Sequence, residues 1–306
     1  MTTDTLDRRL RWKKPNPRVA KIIITEADLL MFAAIDRHGW LPTPYLYEFA
    51  RRKRKDYSHA QHRLTELYHG DPKGPFLTRP SGQFNAFEAR YQPLVYDLAA
   101  RAKAALGGDL SAFPPRKSEF VHDLMAACVG ASLELGLKAK GLGYRNRATI
   151  LANASEKTLA LPVGSLRLIP DDLFAVEYDK GMRFFAVEID RNTESVRGKA
   201  SNTFEKKLLS YVRVMREDTA FKHWKIRKLH VATVTTNYRH ALELIAAVKA
   251  TVPPDLQDRF WFAIEPMFGS RYQGEDGYWK VPRHLLSHLV EQSWLTAGGE
   301  KHITQA

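Results

Sequence analysis

Residues 168–193 restrict the fold more than any other stretch of the chain. Two short apolar strands flank a turn at Asp179, Lys180 and Gly181, the pattern of a β-hairpin. One strand begins beside Pro170, Asp171 and Asp172, and the other ends on Glu188, Ile189 and Asp190. Side chains alternate along a strand, so Glu188 and Asp190 are expected on one face and Val187 and Ile189 on the other. Pairing of the strands brings Asp171 toward the same two carboxylates. Three acids converging on one sheet face repel one another, and a divalent cation, Mg2+ or Mn2+, is the usual remedy. Read without a metal, the same acids are a turn residue after proline and solvated carboxylates at strand ends.

Charge separates the front of the chain from the rest. The 306 residues carry a net charge of +13. Residues 1–117 hold 21 Lys and Arg against 12 Asp and Glu, and the remaining residues hold 26 against 22. An excess gathered in one third of a chain favours a polyanion, and nucleic acid is the commonest one in a cell. Residues 1–24 are basic and polar, the composition of a flexible arm. From Thr25 the pattern turns helical, opening on a near capping box with Asp28 three residues on. A second short helix is expected over Tyr45–Arg51 and a third over Ser58–Tyr68, with Leu64 and Leu67 facing inward. Wing strands are expected at Phe76–Thr78 and Ala89–Tyr91, and a closing helix over Leu94–Leu106.

Three helices and a hairpin make a winged-helix DNA-binding domain over residues 25–107, in which the third helix enters the major groove. Its exposed positions are then Ser58, His59, Gln61, His62 and Arg63, which can hydrogen-bond bases. The run Arg51, Arg52, Lys53, Arg54 and Lys55 just ahead of it, with Arg79, would contact phosphates.

Residues 108–117, rich in glycine and proline, form a linker. A long helix follows from Glu119 to about Leu135. After the hairpin come a helix over Asn202–Glu217, with Phe204, Leu208, Leu209, Val212 and Met215 inward, a buried strand at Leu229–Thr235, a helix over His240–Thr251 and a strand at Arg259–Ile264. This is a mixed α/β sheet, α+β over the whole chain. Residues 271–306 form a C-terminal extension with a helix over Arg283–Trp294.

The pair Pro170-Asp171 and Glu188-Ile189-Asp190 resembles the core of the PD-(D/E)XK nuclease superfamily, with Asp190 where that superfamily has a lysine. More narrowly, the run Phe184 to Glu194, followed by Lys207 to Tyr211, resembles the replication-relaxation family. Its members come from plasmids and other mobile elements and join a winged helix to a nuclease-like domain, here residues 118–270. The resemblance implies Asp171 and Glu188 as ligands of Mg2+ or Mn2+. With them Asp190 would hold a second ion or a metal-bound water, and Lys207 would be a displaced catalytic lysine.

Two functions follow. One is a DNA-binding protein of a mobile element with metal-dependent endonuclease activity, using Asp171, Glu188, Asp190 and Lys207. The other is a non-catalytic module that binds double-stranded DNA and docks a second copy or replication and mobilisation proteins. No run of about 18 apolar residues and no apolar leader are apparent, so a cytoplasmic protein without membrane contact is expected. A single cysteine, Cys128, excludes an intramolecular disulfide. Phosphate-loop, dinucleotide and nucleophile-elbow motifs are missing, so no nucleotide cofactor is expected.

Overall fold

The computed structural model describes residues 15–17, 19–83, 93–107, 119–191, 196, 203–269 and 282–305. Most of the basic arm, the 108–117 linker and the expected wing strand Ala89–Tyr91 lie outside these residues. The fold is mixed α/β and divides into two compact units, Met1–Ala131 with Tyr272–Leu285, and Ser132–Arg271 with Leu286–Ala306.

The first unit opens with α1 (Glu26–His38), started by a complete capping box between Thr25 and Asp28. Then follow β1 (Leu41–Pro42), α2 (Thr43–Ala50) with proline in its first turn, a short 3-10 turn at Arg51–Lys53, and α3 (Tyr57–His69) capped by Asp56. Gly70 ends α3 at a φ of 73°, a left-handed value that favours glycine. Strands β2 (Leu77–Thr78) and β3 (Val95–Leu98) complete an antiparallel sheet of order β1-β3-β2. Its register places Leu41 opposite Tyr96 and Leu77 opposite Leu98. The closing helix is therefore shorter than the sequence implied. Val95–Leu98 is drawn into the sheet by pairing with two strands, and only α4 (Ala100–Ala105) remains helical. Met31, Phe32, Ile35, Leu46, Leu64, Leu67 and Phe76 fill the core.

Helix α5 (Phe120–Ala139) is long and apolar enough by length and composition alone to cross a membrane, and 78% of its most apolar window is buried in the protein. In the second unit β4 (Gly143–Arg145) and α6 (Arg147–Ala152) precede a small two-stranded ladder, β5 (Leu161–Val163) with β6 (Leu166–Leu168). The hairpin then forms as expected. β7 (Asp172–Tyr178) and β8 (Gly181–Asp190) run antiparallel, with Tyr178 opposite Gly181 across the turn.

A parallel neighbour needs a crossover, and helices supply both that occur here. α7 (Phe204–Arg216) and α8 (Thr219–Trp224) lead to β9 (Leu229–Thr235), and α9 (Tyr238–Thr251) with α10 (Pro254–Gln257) leads to β10 (Phe260–Ile264). Strands β8, β9 and β10 are mutually parallel.

The C-terminal segment departs from expectation. Its helix shrinks to α11 (His288–Glu291), and β11 (Trp294–Thr296) and β12 (Gly299–Lys301) add to the edge of the large sheet. The sheet order is β12-β11-β10-β9-β8-β7-β4.

Helix α7 buries Phe204, Leu208, Tyr211 and Val214 against Ala186, Val231, Phe260 and Phe262 of the sheet. Leu209, expected inward, is 52% exposed, because positions 204, 208 and 211 already define the buried stripe. On the other sheet face Phe174 and Phe185 stack at 5.1 Å, and Phe185 meets Trp261 edge to face at 5.2 Å.

Candidate functional site

Glu188 lies near the C-terminal end of β8, only 3% exposed, on the face covered by α7. Lys207 and Tyr211 are four residues apart and so share one face of that helix. Lys207 Nζ donates to Glu188 Oε2 at 2.9 Å, and the Tyr211 hydroxyl donates to Glu188 Oε1. Burial pushes the Glu188 carboxyl up to about 7, the nearby Lys207 charge opposes this, and the Asp171 charge adds to it. The Tyr211 hydroxyl is likewise held well above the usual tyrosine value, by burial first and then by Glu188.

Asp171 is anchored by the backbone of β8. Its N–H donates to the Val187 carbonyl at 2.9 Å, and its Oδ2 accepts from the Ile189 N–H at 2.8 Å. Asp190 turns instead to α9, where His240 Nε2 sits 2.9 Å from Asp190 Oδ2 and Nδ1 lies 3.4 Å from Glu243. Burial works against a charged His240. The Asp190 and Glu243 carboxylates outweigh it, and its pKa is raised.

The structure thus joins Asp171, Glu188 and Lys207, and corrects the three-acid cluster. Among the described residues no three His, Cys, Asp or Glu side chains gather as metal donors. The physical reason is that each repulsion has already been answered by protein groups: Glu188 by Lys207 and Tyr211, and Asp190 by His240. Both Glu188 oxygens are engaged by Lys207 and Tyr211, and Asp190 turns away to His240, so the three acids are not presented together as a donor set for Mg2+ or Mn2+. Tyr211 and His240 carried no role in the sequence reading. The Lys207/Tyr211 spacing was a usable signal for the first; His240 had none.

The basic run of the first unit is not one surface. Asp28 is fully buried and accepts from Arg63 Nη2 at 2.8 Å, while Arg54 Nη2 ion-pairs with its other oxygen. Burial raises the Asp28 carboxyl, but the Arg63 and Thr25 hydrogen bonds prevail and hold it below the usual aspartate range. Arg63 also donates to Glu66 and to the Ile23 carbonyl. The Arg79 guanidinium carbon lies over Tyr68, 3.8 Å from the ring centroid, and Arg79 Nη2 donates to the Tyr96 hydroxyl at 3.3 Å. Arg54, Arg63 and Arg79 therefore hold this unit together, against the expectation that they face DNA.

Arg51, Arg52, Lys53, Lys55, Ser58, His59, Gln61 and His62 are exposed. Within this set Arg51 pairs with Glu48, Lys53 with Glu26 and His59 with Asp56.

The model of the replication-relaxation family matches residues 32–229, from α1 through the Glu188 site to the start of β9. The chain belongs to the replication-relaxation family. Membership makes this replication-relaxation protein a replication-related protein of plasmids and other mobile elements. No curated protein and no solved structure matches it.

Proposed function

We propose that this replication-relaxation protein binds double-stranded DNA through α3 and the turn ahead of it. One observation carries the reading. Arg52, Lys55, Ser58, Gln61 and His62 are exposed along the turn and the N-terminal half of α3, while Ala60, Leu64 and Leu67 bury its opposite side. That division suits a helix laid in a major groove, with cations on phosphates and amide or imidazole groups on base edges. The three helices and antiparallel sheet of this unit support the winged-helix reading.

The second unit then serves as a docking scaffold rather than a cutting centre, a reading supported by the engagement of both Glu188 oxygens. The test is a salt titration of duplex binding by fluorescence anisotropy. Arg52→Ala with Lys55→Ala should lower the slope of log K against log salt by about 0.9 for each phosphate no longer neutralised. Arg54→Ala should leave that slope unchanged and lower stability instead. An unchanged slope in the double variant removes this surface from the interface.

A further inference from the structure

The first unit holds a groove of about 820 Å3 between α2, α3 and residues 283–285. Its size falls in the range of roughly 300–1,000 Å3 typical of sites for small organic groups. Its lining is aromatic and basic: Tyr47 and Tyr57 lie inside, with Arg51, His62 and Arg283 beside them. Tyr47 and Tyr57 meet edge to face, 5.7 Å between centroids and 89° between planes. In such a pair the faces of the edge-on ring are not covered by its partner.

An intact duplex shows a protein only base edges and phosphates, so it offers nothing to stack on a tyrosine face. An unstacked base does, and stacking platforms flanked by cations are how single strands are held. Glu48 on the wall can accept a hydrogen bond from the edge of such a base.

We infer that this groove takes an unstacked nucleotide of single-stranded DNA. The inference rests on the DNA-binding reading but concerns a different form of DNA: strand opened beside the duplex that α3 contacts.

The experiment measures binding of the full chain to a labelled 15-nucleotide single strand and to its duplex. Tyr47→Ala should weaken single-strand binding by roughly 5- to 150-fold, the range for removing one stacking partner. Tyr47→Phe, which keeps the ring, should stay within about twofold, and duplex binding should change by less than that in both. Should Tyr47→Ala unfold, Arg283→Glu at the rim supplies the test: it should weaken the single strand by at least tenfold and spare the duplex. Equal losses on both DNA forms, or a Phe variant as weak as the Ala variant, overturn the inference. Duplex binding without single-strand binding overturns it and leaves the α3 reading standing. No binding to either form overturns both.

Discussion

Asp28 in the first turn of α1 and Arg63 in the middle of α3 meet at 2.8 Å, and the carboxylate is fully buried. The acid that completes the capping box of one helix therefore also ties down another, and Arg54 joins the same carboxylate. Truncating Asp28 removes the partner of two guanidinium groups at once.

Asp28→Ala should lower stability by about 3 kcal/mol, the lower end of the cost of breaking a buried ion pair, since Arg63 keeps Glu66 and the Ile23 carbonyl. The depressed carboxyl pKa sets the direction with pH. The stabilisation is fully present above the ordinary aspartate value of about 3.9 and is lost as pH falls through the lower folded value. Asp28→Asn should accordingly show a flatter stability profile below about pH 4. Urea titrations from pH 2.5 upward check both; profiles of equal slope would show that Asp28 is not the titrating group.

Glu188 should give the opposite slope. Its folded pKa of about 7 exceeds the ordinary glutamate value, so between the two the native state holds the extra proton. Stability should fall as pH rises through that window, by roughly 3 kcal/mol in all. Glu188→Gln, which cannot ionise and keeps one acceptor oxygen for either Lys207 or Tyr211, should lack this fall. Chemical denaturation of both proteins at pH 5 and pH 7.5 measures the difference, and parallel behaviour would mean the carboxyl titrates normally.

Millimolar Mn2+ should raise the melting temperature of the wild type by less than about 1 °C, because a ligand stabilises a fold only to the extent that it binds it. Lys207→Ala, which releases Glu188 Oε2, should respond more strongly than the wild type. A clear wild-type shift abolished by Asp171→Asn, or Mn2+-dependent nicking of supercoiled plasmid, would restore the nuclease reading of Asp171 and Glu188.

What could be read from the sequence follows the range of each interaction. The Thr25–Asp28 capping box and the hairpin turn at Asp179–Gly181 depend on neighbours in the chain, and both formed as expected. The facing of Glu188 and Asp190 toward one side follows from strand alternation alone. Arg54 and Arg63 reach Asp28 across 26 and 35 residues, so the burial that takes them out of a basic run is visible only once the helices pack. His240 meets Asp190 across 50 residues, through a crossover whose packing no local pattern specifies. The expected helix over Arg283–Trp294 survives only at His288–Glu291, and Trp294 begins a strand whose Leu295 pairs with the distant Phe262 on β10.

The chain passes from one unit to the other three times, after residues 131, 271 and 285. No single cut can therefore release either unit as a whole. A fragment ending at Ala131 lacks Pro282–Leu285, including the Arg283 and His284 wall of the groove, and a fragment beginning at Ser132 carries that wall away. A truncated front half that fails to engage DNA would thus report a missing piece of its own structure, and loss-of-binding results from such deletions are better replaced by point substitutions in the intact chain.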